Sequence, residues 1–248
     1  MTCRALVAES PATPARFRHA YEILPAGPAF AFNSPVITLP GGGTFLSVIP
    51  KVVFLLCALL FPLAADSASA AASDPAVTQV QTLVAALLKS MRAGSAESMT
   101  ERYRNLEPVI EQVFALPLVT RLSVGPDWAN FSPEQQKATI AAFTRFTVAN
   151  YAYNFRDFDG EKFEIDDNVL SRGADKIVQT RVIPAHDTAV SLLYRMHEVD
   201  GTWKIIDVFS NGVSELTTRR SDFAVALASG GAPVLIAHLN KASDGLMK

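Results

Sequence analysis

A β-hairpin signature occupies residues 190–210, which read VSLLYRMHEVDGTWKIIDVFS. Apolar and polar side chains alternate on both sides of Asp200-Gly201, a dipeptide that favours a two-residue type I′ turn. Such a turn fixes which residues of the two strands lie opposite each other. The predicted pairs are Val199 with Thr202, Met196 with Ile205, Tyr194 with Asp207, and Leu192 with Phe209.

One face of this hairpin is predicted to be strongly apolar, because side chains alternate between the two sides of a strand. The opposite face is mixed. Its predicted residues are Leu193, Arg195, His197, Lys204, Ile206 and Val208. We therefore expect the apolar face to be the covered one. Its residues are Val190, Leu192, Tyr194, Met196, Trp203, Ile205 and Phe209.

The same period of two appears upstream, in one segment from Phe163 to Val169 and another from Val178 to Val182. These segments and the hairpin follow one another with no helical pattern between them. Consecutive strands without crossover helices form an antiparallel sheet. The sequence thus predicts an α+β fold with a four-stranded, strongly twisted antiparallel sheet.

Helical periodicity dominates both ends of the region after residue 73. The clearest start is Ser132-Pro133-Glu134-Gln135, with a hydroxyl at the N-cap, proline at the first position and glutamine three residues on. Pro108 is expected to kink or break its helix. The predicted helices are residues 74–94, 97–114, 116–122 and 132–154, followed by 214–229 and 233–241 on either side of Gly230-Gly231.

The helix after Ser132 has an aromatic side that includes Ile140, Phe143, Phe146 and Tyr151. An ordinary core between this helix and the sheet explains the pattern. Polar Thr147, Asn150 and Asn154 lie within the same arc, and buried polar groups need partners or solvent. A partly open apolar cavity between sheet and helices is the other interpretation.

The N-terminal region predicts export. Lys51 precedes an uncharged apolar run over residues 52–64, which is too short to span about 30 Å of hydrocarbon. Ala68-Ser69-Ala70 follows as a small-x-small cleavage pattern. We expect a signal peptide over residues 51–72 and a folded domain over 73–248. Residues 1–50, rich in proline and glycine, are expected to be unstructured or to precede the start codon in use.

Composition excludes several classes of function for the exported domain. The chain has 22 basic and 24 acidic residues and no basic block, which disfavours nucleic acid as a partner. Both cysteines precede residue 73, so neither a disulfide nor a thiol nucleophile is expected afterwards. His186, His197 and His238 are scattered without acidic or cysteine neighbours at metal-ligand spacing. No metal and no cofactor are predicted.

Three stretches resemble the MlaC-type family of periplasmic phospholipid-binding proteins, also called toluene-tolerance proteins. They begin at Trp128 with the Ser132-Pro133-Glu134-Gln135 start, at Gly201-Thr202-Trp203, and at Asn211-Gly212-Val213-Ser214. Their order and spacing agree over nearly all of residues 74–241. Within that family, residues 172–178 (RGADKIV) and 216–223 (LTTRRSDF) most resemble the HpnM-type branch associated with hopanoids.

The resemblance implies a periplasmic carrier, not an enzyme, that moves phospholipid or hopanoid between the inner and outer membranes. It also implies an inner-membrane lipid transporter, of the ABC type, as partner, with transient docking to membrane proteins. We expect a monomer. The predicted lipid-binding residues are Ile140, Phe143, Phe146, Tyr151, Val190, Leu192, Tyr194, Met196, Ile205 and Phe209.

Two other functions remain open at this point. Tyr194 opposite Asp207 would give a phenol and a carboxylate base on a curved sheet, as in small cone-shaped isomerases of the NTF2 type. A ligand-free periplasmic adaptor that only docks protein partners is the second. Arg219 and Arg220 could meet a lipid phosphate, although Arg219 and Asp222 also form an ordinary i, i+3 pair.

Overall fold

The computed structural model describes residues 73–248. The predicted N-terminal extension and signal peptide lie outside these residues. Within the described part, the chain forms a helical N-terminal half, an antiparallel sheet and a C-terminal helix. The α-helices are α1 (Pro75–Ala93), α2 (Met99–Val113), α3 (Leu116–Val124), α4 (Pro133–Asn154) and α5 (Glu215–Leu246).

The predicted helix starts are confirmed by capping contacts. Asp74 accepts a hydrogen bond from the backbone N–H of Ala76 at 2.8 Å, and Ser132 and Gln135 form a capping box. Ser98 and Glu101 form another at the start of α2. Of the kink or break expected at Pro108, the break is wrong, because α2 runs through that residue to Val113. A proline there removes one backbone donor, and the helix tolerates the loss.

The sheet formed by residues 162–214 has six strands, not the four predicted from sequence. Its order is β1-β3-β4-β5-β6, with β2 also paired to β3, and all pairs are antiparallel. The strands are β1 (Lys162–Ile165), β2 (Leu170–Arg172), β3 (Asp175–Ile183), β4 (Val190–Val199), β5 (Thr202–Ser210) and β6 (Val213–Ser214).

Two turns account for the extra strands. The Asp166 carboxylate accepts the backbone N–H of Asn168 at 2.9 Å, and this turn ends β1 within the predicted first strand. β2 begins just beyond the predicted strand, at Leu170. Asn211 and Gly212 both have positive φ, 47° and 86°, as a type I′ turn requires. That turn returns the chain along β5 as β6 before α5 begins.

The predicted hairpin register holds only near the turn. Val199 lies opposite Thr202 and Met196 opposite Ile205, as expected. Between Arg195 and Met196 the register shifts by one residue, a β-bulge that places an extra residue, Ile206, in β5. The predicted pairs beyond it are therefore wrong. Tyr194 lies opposite Val208, and Leu192 lies opposite Ser210.

The helices cover one face of the sheet, and the core lies between the two layers. Alternate residues of β4 are buried there, which confirms the predicted apolar face of that strand: Val190, Leu192, Tyr194 and Met196. A short link joins the layers at the bulge, where the Ala115 N–H donates to the Ile205 carbonyl at 3.0 Å. The connection between α2 and α3 is thereby tied to the middle of β5.

Helix α5 contains a backbone break at the predicted site. Gly230 has φ 169° and ψ 22°, and Gly231 has φ 67° and ψ −154°, so the helix has two halves. Among the described residues, α5 alone is long and apolar enough to cross a membrane by length and composition. Phe223 in the first half, and Leu235 and Leu239 in the second, are buried in the core of the domain.

Candidate functional site

An apolar pocket of about 130 Å³ lies between the helices and the sheet. Its walls come from the C-terminal half of α4, the α2–α3 connection, strands β4 and β5, and the first turns of α5. This pocket is too small to enclose a lipid. The lining residues are Phe114, Leu116, Val119, Phe143, Thr147, Asn150, Tyr151, Asn154, Phe155, Leu192, Tyr194, Ile206, Asp207, Val208, Glu215, Leu216 and Arg219.

Aromatic rings form one side of the pocket. The Tyr151 ring lies 5.6 Å from that of Phe114 and is stacked 5.7 Å from that of Phe155. Phe143 meets Phe223 edge to face at 5.7 Å behind this wall. Such pairs hold large side chains in fixed positions without polar bonds to a ligand. The wall therefore offers apolar contact and little directional chemistry.

Three polar residues on the aromatic side of α4 line the pocket, namely Thr147, Asn150 and Asn154. Thr147 donates its hydroxyl to the Phe143 carbonyl at 2.9 Å. The Asn154 amide donates to the Asn150 carbonyl and side-chain oxygens at 2.9 and 3.0 Å. These bonds stay within the helix, so the hydroxyl of Thr147 and the amide of Asn154 are satisfied without a ligand.

The Asp207 carboxylate is used to cap α5. One oxygen accepts the Ser214 hydroxyl at 2.7 Å and the other accepts the Leu216 N–H at 2.9 Å. The predicted pairing with Tyr194 is wrong, because the bulge moves Val208 into that position. Both residues still line the pocket. A carboxylate already holding two donors is poorly placed to act as the base of an isomerase.

A second set of charges lies at the start of α5. Arg219 and Glu215 are 3.6 Å apart between Nη2 and Oε2, and their side chains are 18% and 26% exposed. The Arg219 guanidinium lies over the Phe146 ring, 4.7 Å from its centroid. Asp222 lies one turn further on. Burial raises the pKa of the Asp222 carboxyl, against the lowering effect of the Arg219 and His238 charges.

The structure brings only some of the predicted lipid-binding residues to this pocket. Phe143, Tyr151, Leu192 and Tyr194 line it. A further set is buried in the core without lining the pocket. It consists of Phe146, Val190, Met196 and Ile205.

Two of the predicted residues lie elsewhere. Ile140 is only partly buried and is outside the core cluster. Phe209 pairs with Leu193 and lies on the face of the sheet away from the helices, because the bulge reverses the alternation of β5. Contact with lipid by any of the predicted residues stays a prediction.

Sequence reasoning missed much of the wall. Phe114, Leu116 and Val119 belong to a short apolar run that extends from the α2–α3 connection into α3, and that run was the available signal. Val208 was predicted on the face of the sheet away from the helices, because no residue pattern indicated the bulge. The structure places it in the pocket wall. Ile206, which enters the wall at the bulge itself, carried no signal either.

The histidines are not assembled into a metal centre. Among the described residues, no group of three His, Cys, Asp or Glu side chains is placed to hold an ion. The ring of His197 instead bonds Asp175 at 2.6 Å, and Arg195 donates to the same carboxylate at 2.7 Å. This cluster lies where β3 pairs with β4.

A sequence model described as "MlaC protein" matches residues 79–241, well over half of the chain. The chain belongs to the MlaC family. The match to this MlaC-family protein runs from α1 into the second half of α5. The matched residues contain every residue that lines the pocket.

The fold of this MlaC-family protein also occurs in a solved structure of a phospholipid-binding protein from Ralstonia solanacearum. That structure was determined in complex with a phospholipid. The two chains are 20% identical, and the TM-score is 0.61. The match covers 70% of this chain and 99% of the other. At this identity the match establishes a common fold.

Proposed function

We propose that this protein is a periplasmic lipid carrier that binds phospholipid and moves it between the inner and outer membranes. One observation carries the proposal. An apolar pocket lies between sheet and helices in a fold shared with a phospholipid-bound protein, in a chain of the MlaC family. The signal peptide predicted over residues 51–72 supports a location in the periplasm.

The chemistry of the pocket suits a carrier. Aromatic and aliphatic side chains supply most of its surface, and the nearby hydroxyl of Thr147 and amide of Asn154 already have partners within α4. Apolar burial is worth about 0.8 kcal/mol per methylene, so a chain of about 15 methylenes gains roughly 12 kcal/mol. Contacts of this kind bind tightly yet release cargo without breaking directional bonds.

The pocket must widen to accept a lipid. Its volume of about 130 Å³ is close to that of a cavity of about 150 Å³ that holds one benzene ring. An acyl chain needs several times that volume. We infer that loading separates the sheet from α4 and the first turns of α5, and that burial of the acyl chain compensates for parting these packed surfaces.

Adjacent residues of β5 provide a matched test. Val208 lines the pocket, whereas Phe209 lies on the opposite face of the sheet. In Val208→Trp the indole fills the pocket, and we expect co-purified lipid to fall severalfold while the fold survives. Phe209→Trp should leave lipid occupancy unchanged. Native mass spectrometry and organic extraction of protein expressed as the full chain and exported would measure both.

Each outcome of this test has a clear meaning. A wild-type protein with no bound lipid, and no affinity for phospholipid vesicles, would contradict the carrier and favour the ligand-free adaptor. Equal loss of lipid in both variants would contradict the pocket as the binding site. Turnover of a small substrate that disappears in Tyr194→Phe would favour the isomerase instead.

The cargo within the lipid class is part of the proposal. Residues 172–178 and 216–223 resemble the hopanoid-associated branch, which makes a hopanoid the alternative cargo to phospholipid. A rigid pentacyclic body needs a wide, short cavity, and two acyl chains need a long, forked one. Mass spectrometry of lipid extracted from the exported protein distinguishes them. An inner-membrane lipid transporter is the proposed partner.

A further inference from the structure

A groove separate from the lipid pocket lies between the C-terminal end of α3, the turn that follows it and the first turns of α5. Its volume is about 380 Å³, and it is open to solvent. Two arginines and an indole line it, namely Arg121, Arg220 and Trp128. None of these three residues lines the pocket. We refer to this feature as the basic groove.

Neither arginine of the basic groove has an acidic partner. Among the described residues, no carboxylate lies within ion-pair distance of Arg121 or Arg220, and neither guanidinium donates a hydrogen bond. The preceding residue differs, because Arg219 pairs with Glu215 and lines the pocket. Asp127 is exposed and does not line the groove. The described part of the chain therefore leaves these two cations without a counter-ion.

The donors of the basic groove are held by local packing. Gly125 ends α3 with φ 71° and ψ −140°, and a carbon added there would lie 3.3 Å from Nη2 of Arg220. The lack of a side chain at Gly125 thus lets the guanidinium approach the backbone. The half-buried Trp128 ring lies 5.7 Å from that of Phe131, and its N–H has no acceptor within the described region. An anionic oxygen is the partner that all three donors lack.

The surroundings of the basic groove favour a membrane as the source of that anion. Tryptophan is amphipathic and concentrates at membrane–water interfaces. On α5, residues 223–237 carry no charge, Ala224 is exposed one turn after Arg220, and Val225 is 71% exposed. Cations beside exposed apolar surface match a bilayer interface, where anionic phosphates overlie acyl chains. An acidic polypeptide would account for the arginines alone.

The basic groove adjoins the pocket, because α3 and α5 contribute to both. Val119 and Arg219 line the pocket, whereas Arg121 and Arg220 line the groove. A membrane bound at the groove would therefore lie close to the first turns of α5, which form one wall of the pocket. Lipid would have a short path between the bilayer and the pocket.

We propose that Arg121, Arg220 and Trp128 form a docking site for a membrane that contains anionic phospholipid. The guanidiniums bind headgroup phosphates, and the indole lies at the level of the headgroups. This site goes beyond the proposed carrier function, since it recognises the membrane surface and not the cargo held in the pocket. Two exposed cations give a weak contact that salt screens, which suits a protein that must leave the membrane again.

Vesicle flotation tests the site. Full-chain protein, as purified after export, is mixed at low ionic strength with vesicles of phosphatidylcholine alone or of equimolar phosphatidylcholine and phosphatidylglycerol. We expect wild type to float with the anionic vesicles and to stay unbound with phosphatidylcholine. Arg121→Gln and Arg220→Gln should each lower the partition coefficient about fivefold, the contribution of one basic side chain near an anionic surface.

Two further measurements sharpen the test. Arg172→Gln is the matched control, because Arg172 is exposed, has no ion pair among the described residues and lies outside the groove. It removes the same charge and should leave flotation unchanged. In Trp203→Phe, which retains Trp128 as its one tryptophan, emission should shift to the blue with anionic vesicles. If Arg220→Gln does not fold, Arg121→Gln carries the test, since Arg121 is exposed on α3.

Failure of docking is distinct from failure of the carrier. Val208→Trp, which fills the pocket, should float as wild type does, and Arg121→Gln should keep its co-purified lipid. Wild type that floats with neither vesicle, or equally with both, would overturn the docking site. Equal losses in Arg121→Gln and Arg172→Gln would also overturn it. Wild type that binds poly-glutamate but neither vesicle would assign the groove to an acidic polypeptide and contradict the membrane.

Discussion

Asp175 ties β3 to β4 through one carboxylate, which bonds both Arg195 and His197. Burial alone would raise its pKa, but the hydrogen bonds from His197 and Arg195 outweigh that effect and hold the pKa below its ordinary value of 3.8. The charged carboxylate therefore stabilises the fold above about pH 4. That stabilisation is lost as the pH falls through the lowered pKa.

The substitution Asp175→Asn should lower the free energy of unfolding by about 1 kcal/mol at pH 7, because both partners are partly exposed. The difference from wild type should shrink as the pH falls below about 4 and disappear only below the lowered pKa, where the folded wild-type carboxylate is itself protonated. Urea unfolding at a series of pH values measures this. The control is Glu164→Gln, which breaks the exposed pair between Glu164 of β1 and Arg181 of β3. A loss of stability independent of pH in Asp175→Asn would contradict the electrostatic explanation.

The role of an individual residue was predictable where a helix cap or the alternation of a strand determined it. Ser132 and Asp74 cap their helices, and Tyr194 and Met196 are buried, as the local pattern indicated. Arg102 was not anticipated, although it is buried at 2% exposure and donates to the Gly94 carbonyl at 2.6 Å. Most of its partners are backbone carbonyls, for which a sequence pattern contains no signal; the others are the Ser90 hydroxyl and the Glu97 carboxylate.

At the scale of elements, the β-bulge had the largest effect on the predictions. The Asp200-Gly201 turn correctly determined the pairs next to it. One extra residue then reversed the faces of β5 beyond Ile206, which moved Val208 to the pocket and Phe209 away from it. The bulge lies where the Ala115 N–H bonds the Ile205 carbonyl, a contact with a segment distant in sequence. The residue pattern of β5 alone therefore did not indicate it.

The break in α5 depends on glycine. Gly231 has φ 67° with ψ −154°, a conformation that side-chain-bearing residues rarely adopt. We expect Gly231→Ala to lower the free energy of unfolding by about 1 to 3 kcal/mol. The control is Gly245→Ala, which lies in a helical turn with no heavy atom within 4 Å of the added carbon.

Gly245→Ala should be neutral or stabilise the protein by up to about 1 kcal/mol. Thermal and urea unfolding of the two variants beside wild type measure the contrast. Equal stability of both variants would show that the two halves of α5 can join as one regular helix. In that case the break would not be needed to bury Phe223 in one half and Leu235 in the other.

For the whole molecule, the carrier hypothesis predicts that stability depends on cargo. A ligand that binds the folded state alone stabilises it by about 2.7 kcal/mol at a free concentration one hundred times its Kd. Delipidated protein should therefore melt several degrees below the protein as purified. Adding phospholipid should restore the higher Tm, whereas Val208→Trp should melt at the same temperature with and without lipid.

The fold class was predictable because helix caps, a period of two and one hairpin turn agreed with each other. The number of strands was not, since β2 and β6 have three and two residues, too few for a period to be recognised. The pocket was predicted only in outline. Its walls join segments distant in sequence, from Phe114 to Arg219, and that assembly depends on packing.

The edges of the sheet affect how readily copies of the protein associate at high concentration. One edge is shared by β1 and β2, with four and three residues. At the other edge, β6 pairs with only Phe209 and Ser210 of β5, and the link from Ala115 to Ile205 interrupts the remainder of β5. A long exposed edge strand offers unpaired backbone N–H and C=O groups, to which a second copy can add its own strand. Edges that are short or interrupted offer few consecutive unpaired backbone groups for such self-association. We therefore expect this protein to have a low tendency to polymerise through its sheet at high concentration.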